Sequence, residues 1–221
     1  MSCCSAHSDG KNKFFSGCAK RYAKKYRRKG LDKAQLFLFE GITQTIYSKN
    51  KSLAQKTFLE IGSGAGGLLI SLVQKGASHA TGIEASQGMM ESAQQLAKEV
   101  HVDDSIEFRF GDFEQMKDSV PRADVTILDK VLCCDSSPKT LIQYSAATAK
   151  EIYAVSFPRE SFFARAFFHA GIFCAKFFKL NFVPFYHEPR DLQKWIEAQG
   201  FRSVYVRNTM LWQIFVFKRT A

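Results

Sequence analysis

The spacing of apolar positions divides the chain into two regimes. Over residues 15–29, Ala19, Tyr22 and Tyr26 recur at helical spacing while Lys20, Arg21, Lys24, Lys25, Arg27, Arg28 and Lys29 fill the remaining positions, until Gly30 stops the pattern. This predicts a basic helix with an aromatic stripe. A second helix is predicted from Asp32, a residue type that caps helix starts, to about Tyr47, with Leu36, Phe37 and Phe39 available for packing. Residues 1–13 show no period that buries a face and are predicted to be a mobile tail, and the polar stretch 48–55 reads as a linker.

Beyond residue 56 short apolar runs at 57–61, 79–84, 106–110, 125–129 and 152–157 alternate with helical patterns, which predicts a parallel sheet with helices on both faces. The rhythm then changes. Eight phenylalanines fall between Phe162 and Phe182, before a helix over 188–199 that ends at Gly200. Two further strands, 203–207 and 211–217, are separated by a turn around Asn208 that is too short for a parallel crossover, so they are expected to pair antiparallel. The layout is one α/β domain: a tail over 1–13, N-terminal helices forming a basic cap over 14–55, and a sheet domain over 56–221 with a helical insertion at 160–183.

Charge and cysteine usage refine this picture. The 221 residues carry a net charge of +10, and residues 11–33 hold ten Lys or Arg against one acid, Asp32. Such a run suits phosphates, so nucleic acid is one partner to weigh against a plain solvated face. Cys3, Cys4, Cys18, Cys133, Cys134 and Cys174 include two adjacent pairs, which seldom bridge, and no signal peptide is read, so a reducing cytoplasm is expected. Cys3, Cys4, His7 and Cys18 lack the usual C-x-x-C metal spacing, and no metal is assigned. The Phe-rich segment is interrupted by Arg165, His169, Lys176 and Lys179, so no transmembrane segment is expected, while peripheral contact with a membrane stays open.

The strongest chemical signal is the run Thr57-Phe-Leu-Glu-Ile-Gly-Ser-Gly-Ala-Gly-Gly67, a strand feeding a glycine loop and then a helix. Small residues let backbone approach a ligand closely, and the helix start offers a positive dipole and free N–H groups. Within it the candidate ligand contacts are Gly62, Ser63, Gly64 and Gly66, and Glu60 just before it can favour a cationic ligand. Glu84, followed by Ala85 at the end of the second strand, is placed to accept hydrogen bonds from both hydroxyls of a ribose. After the third strand, Asp112 can accept from an adenine amino group and Phe113 can pack on its ring, although Asp112 also suits a helix cap.

These motifs in order, L-E-I-G-S-G-A-G-G, the acidic second-strand end, G-D-F and A-D-V-T-I-L-D, resemble those of class I S-adenosylmethionine-dependent methyltransferases across about residues 57–157. The resemblance implies a Rossmann-like seven-stranded, mostly parallel sheet with a C-terminal antiparallel strand, S-adenosyl-L-methionine as cofactor, and a site that also includes Asp129. The second half, through Phe185-Tyr186-His187-Glu188 and Gly200-Phe201, is most similar to magnesium-protoporphyrin O-methyltransferases. Those enzymes have D-V-L-I-H-Y after the fourth strand where this chain has Asp129-Lys-Val-Leu-Cys-Cys134, a replacement of imidazole and phenol by thiols that argues against a porphyrin acceptor.

On the acceptor side the candidates are Asp129, Lys130, Cys133 and Cys134 beyond the fourth strand, and His187, a residue type that suits a base. The reading is methyl transfer to a small, largely hydrophobic acceptor, at oxygen, with an RNA or protein methyltransferase or a non-catalytic nucleoside-binding module as the alternatives. The N-terminal helix is expected to fold over the cofactor mouth, with residues 162–182 forming the opposite wall.

Overall fold

The computed structural model describes residues 3–48, 52–180 and 182–220, the side chains of 3–9 and 11 excepted. Seven strands form one sheet: β1 (Thr57–Ile61), β2 (His79–Glu84), β3 (Ile106–Phe110), β4 (Ala123–Asp129), β5 (Ala149–Pro158), β6 (Phe201–Asn208) and β7 (Trp212–Arg219). Their order is β3-β2-β1-β4-β5-β7-β6, with β7 alone antiparallel to its neighbours, and the topology is the one expected from the alternating runs. The order reverses between β1 and β4. In such sheets the crevice outside the carboxyl ends of the strands at the reversal is where ligands sit.

Side chains alternate between two core layers with the period of a strand. Ile152, Ala154, Ile214 and Val216 face one layer, and Tyr153, Val155, Phe215 and Phe217 the other. The first layer packs against α2 (Lys33–Tyr47), α3 (Gly67–Gln74) and α4 (Gln87–Glu99); the second packs against α5 (Phe113–Met116), α6 (Pro138–Thr148) and α8 (Pro189–Glu197). Full burial of aliphatic side chains such as Leu69, Ile127 and Ile142 contributes about 1.5–3 kcal/mol each. The buried Tyr153 hydroxyl in the second layer is satisfied by the equally buried Ser145 at 2.7 Å.

The predicted cap at Asp32 is present as a full capping box, with the carboxylate accepting from the Ala34 and Gln35 amides at 3.0 and 3.1 Å. The helix it starts lies close on the sheet, because Gly41 leaves no Cβ to meet the Tyr205 ring and Val216. The first helix, α1, spans Cys3–Lys29 and begins well ahead of Phe14, where the spacing predicts the first ordered residue. Its early turns hold through polar tethers, which leave no apolar period to read: Asn12 accepts from the Gln87 amide at 3.0 Å, and the Ser16 hydroxyl lies 3.0 Å from that of Ser86. The Cys3, Cys4 and His7 side chains, weighed above for metal, lie outside the described residues.

The helical insertion is α7 (Phe162–Phe177). No helix of the described residues is long and apolar enough to cross a membrane.

Candidate functional site

Four loops converge at the carboxyl ends of β1 to β4 on a cavity of about 250 Å³. The glycine loop after β1 turns back on itself: the Gly62 and Ser63 amides both donate to the Ile83 carbonyl, at 2.8 and 3.1 Å. Gly66 sits at φ +76°, and a Cβ there would stand 2.8 Å from the Phe108 ring and 2.9 Å from Ala93, so a left-handed turn and a close approach both require glycine. Gly64, at φ +54°, meets nothing within 4 Å and faces the open cavity. Helix α3 then starts without a side-chain cap.

Glu84 closes the loop from β2. One carboxylate oxygen accepts from the Gly64 amide at 2.7 Å and the other from the Ser86 amide at 2.8 Å. Burial raises its pKa, and these backbone donors pull it part of the way back. The Ala85 amide is a third backbone donor to this carboxylate, which lines the cavity.

Glu60 is the unusual group. It is 2% exposed, its Oε2 has no hydrogen-bond partner among the described residues, and its pKa is driven well above the ordinary value by burial and by the charges of Asp129 and Glu84. A buried carboxylate without a partner is costly. Three carboxylates facing one cavity, with a neighbouring Ser63 hydroxyl that is also buried and unpartnered, make a place that favours a cation bearing N–H donors.

Asp129 and Lys130 stand at the end of β4. The Ser156 hydroxyl donates to Asp129 Oδ1 at 2.5 Å, and the Lys130 ammonium donates to Asp129 Oδ2 at 3.1 Å and to Asp32 Oδ2 at 2.8 Å. Lys130 holds a left-handed backbone, φ +60°, anchored by the Ser156 hydroxyl and carbonyl accepting from its amide. Burial of the amine opposes its charge, but the two carboxylates outweigh that and raise its pKa.

After β3, Asp112 lines the cavity and caps α5 through the Glu114 amide at 3.0 Å. Phe113 and Ala85 line the cavity too. The aromatic stripe of α1 closes the mouth, with Phe15, Tyr22 and Tyr26 as lining side chains. The Tyr26 ring rests where a Cβ on Gly67 would project, and its hydroxyl lies 3.0 Å from that of Ser71.

Residues 162–182 do not form the opposite wall: none of the described residues among them lines the cavity, and Val131, Cys134, Asp135 and Leu141 line it instead. Phe182 reaches the N-terminal helix, with its ring 5.5 and 5.2 Å from those of Phe14 and Phe15. Of the adjacent thiols, Cys134 lines the cavity while Cys133 is buried behind it, with its pKa raised by the hydrogen bond to Cys134 and by burial. His187 also lies behind the lining. Its Nε2 is 2.8 Å from the Asp135 carbonyl and its ring stacks on Phe185, whose amide donates to the Cys133 carbonyl at 2.8 Å. Gly66 lies just outside the lining as well. Sequence reasoning did not pick out Asp32, Gln35, Lys25 and Asp135 as cavity residues.

The family model described as a methyltransferase domain matches residues 52–182, more than half of the chain. No curated protein matches it in sequence. Among solved structures it is similar to magnesium protoporphyrin IX methyltransferase from Synechocystis PCC 6803 with bound SAH, with TM-score 0.71 and 22% identity over 97% of this chain and 100% of that one. An O-methyltransferase family protein from Burkholderia thailandensis gives TM-score 0.65 at 11% identity, over 83% of this chain and 57% of that one. Geranyl diphosphate C-methyltransferase from Streptomyces coelicolor A3(2), in complex with magnesium, geranyl diphosphate and S-adenosyl-L-homocysteine, gives TM-score 0.61 at 11% identity, over 82% and 79%.

Proposed function

Because the chain belongs to the methyltransferase-domain family, we propose that it transfers a methyl group from S-adenosyl-L-methionine to an oxygen of a small, largely hydrophobic acceptor. The observation that carries the cofactor assignment is the unpartnered, buried Glu60 carboxylate beside the glycine loop. A ligand that brings a cationic amine into the cavity satisfies it and offsets the repulsion among Glu60, Glu84 and Asp129. Glu84 then takes the ribose hydroxyls, Asp112 the adenine amino group, and Phe113 the ring face. The backbone of Gly62, Ser63, Gly64 and Ala85 lies against the ligand, while Gly66 supports the turn from behind.

The cofactor supplies an activated methyl group on a sulfonium. The protein's part is alignment and exclusion of water. Phe15, Tyr22 and Tyr26 on one side and Val131 and Leu141 on the other offer apolar walls that suit a hydrophobic acceptor. Lys25 lines the mouth, 54% exposed and only 3.9 Å from Asp32, and its charge favours an acceptor oxygen that arrives anionic and needs no base. Asp129 and Lys130 position the β4 loop, Cys134 contributes to the wall, and Cys133 and His187 support that loop from behind rather than exchanging protons with the acceptor.

Calorimetry with S-adenosylmethionine, S-adenosylhomocysteine and a nicotinamide dinucleotide tests the cofactor: binding of the first two is expected, and binding of the third alone overturns the reading. Transfer of a labelled methyl group across a panel of hydrophobic phenols and carboxylic acids tests the acceptor. The exposed basic face of α1, with Lys20, Arg21, Lys24 and Arg28, favours RNA as the rival acceptor. Tight RNA binding that falls steeply with salt, and RNA labelling in place of the small molecules, decides for it.

A further inference from the structure

Helix α7 has three distinct faces. At 100° per residue, Ala164, Phe168 and Ala175 share a narrow stripe, and these are its buried residues. Arg165, His169 and Lys176 follow along one flank, with Lys179 just beyond the helix end. The remaining side carries Phe162, Phe163, Phe167, Phe173 and Phe177, together with Ala166 and Ala170, and all of it points to solvent. Phe162 is 80% and Phe177 70% exposed. The next residue, Phe178, is exposed as well.

This is not the surplus of a packed core. The docked stripe of α7 carries two alanines and one phenylalanine, whereas five phenylalanines face away, the reverse of what burial against the sheet would select. An apolar patch of this size with a polar border marks an interaction surface. Its charge specifies the occupant. The segment from Ser161 to Lys179 contains no acid; Arg165 is paired with Glu188 at 3.0 Å, whereas Lys176 and Lys179 form no ion pair with a described residue, and the chain carries +10 overall. A second copy would set like charges beside one another, whereas an anionic lipid surface complements both the phenylalanines and their basic flank. The helix is too short to span a bilayer, so it lies in the interface.

We propose that α7 is an interfacial helix that seats this face on an anionic phospholipid bilayer. Beyond the helix end, the buried Phe182 ring contacts Phe14 and the cavity residue Phe15.

The test is flotation of the purified chain, without cofactor, on vesicles of phosphatidylcholine alone and of equal parts phosphatidylcholine and phosphatidylglycerol. Binding is expected on the anionic vesicles and should weaken as salt is raised. Replacing Phe163, Phe167 and Phe177 together by Ser should weaken partitioning by about tenfold for each ring removed. The pair Lys176→Glu and Lys179→Glu should weaken it by roughly fivefold for each lysine lost, and it keeps the test decisive if the triple variant folds poorly. Circular dichroism melts confirm folding of each variant, and calorimetry with S-adenosylhomocysteine keeps a failure of the cofactor assignment separate from this one. The proposal is overturned by a wild type that stays with the unbound fraction, by equal binding to neutral vesicles, or by a folded triple variant that binds unchanged. It is equally overturned if sedimentation velocity shows a wild-type dimer that the triple variant abolishes, with no vesicle binding.

Discussion

Lys130 and Asp32, 98 positions apart in the chain, meet through an ammonium–carboxylate contact of 2.8 Å that joins the cap of α2 to the loop after β4. The same ammonium reaches Asp129 at 3.1 Å. Lys130→Met should therefore strand two part-buried carboxylates and cost about 1–3 kcal/mol in denaturant unfolding. The pH dependence follows from the shifts. The lowered pKa of Asp32 adds stability that is present above its unfolded value, near 3.8, and lost as pH falls through the folded one. The raised pKa of Lys130 adds stability that is present below 10.5 and lost as pH climbs through its folded value. The gap between wild type and variant should be flat between those limits and close toward either end; a gap that changes through neutral pH would assign the effect to other groups.

Glu60 should couple cofactor binding to protons. Its folded pKa lies well above the unfolded value of 4.5, so the free protein loses stability as pH rises from there through the folded pKa. A cationic ligand selects the ionised form, and binding below the folded pKa should release a proton and tighten as pH rises toward it. Calorimetry of S-adenosylhomocysteine in buffers of different ionisation enthalpy reads this directly. Glu60→Gln should abolish the proton release and weaken binding, while raising the stability of the free protein by on the order of 1 kcal/mol.

Removing the Glu84 carboxylate should do two things at once, because it holds the Gly64 and Ser86 amides as well as facing the cavity. Glu84→Ala is expected to lower S-adenosylhomocysteine affinity by roughly 1.5–3 kcal/mol and to lower the melting temperature too. Full affinity in a folded variant would remove Glu84 from the ligand's contacts.

The glycine loop offers a contrast between stability and binding. Gly66→Ala combines a left-handed backbone with contacts under 3.0 Å to Phe108 and Ala93, and should cost about 2–4 kcal/mol. Gly64→Ala carries the backbone penalty alone, roughly 1–2 kcal/mol, but sends its methyl toward the cavity. Melting curves should rank Gly66→Ala as the less stable variant, and calorimetry should rank Gly64→Ala as the weaker binder among those that remain folded.

What could be read from the chain was whatever local chemistry determines. The apolar runs of β5 and β7, the cap at Asp32, the glycine loop and the acid ending β2 each depend on a handful of adjacent residues. Contacts between distant residues left no such trace. Nothing near Asp32 announces Lys130, and the tethers at Asn12 and Ser16 look like an unstructured polar stretch until α4 stands beside them. Adjacent thiols have no period, so only the short turn at Leu132–Cys134 decides that Cys134 faces the cavity and Cys133 the core. The Phe-rich segment advertised an apolar helix but not its orientation, because the stripe that docks is marked by small residues and the bulk of the pattern belongs to the outer face.

The placement of β7 between β5 and β6 gives folding a seam. Strands β1, β2 and β3, and strands β4 and β5, can each assemble from neighbouring strand–helix–strand units and join where β1 pairs with β4, but β5 keeps an unpaired edge until residues 212–219 arrive, and among the described residues β6 pairs with β7 alone. The β6–β7 pair is a local hairpin and forms quickly, whereas its docking along all of β5 from Ile152 to Pro158 is a single long-range event. Pulsed hydrogen exchange during refolding should therefore protect the amides joining β1 to β2 and β6 to β7 before those joining β5 to β7. In the interval the buried Phe215 and Phe217 stand exposed, which makes this edge the point where crowded, freshly made chains would stick to one another.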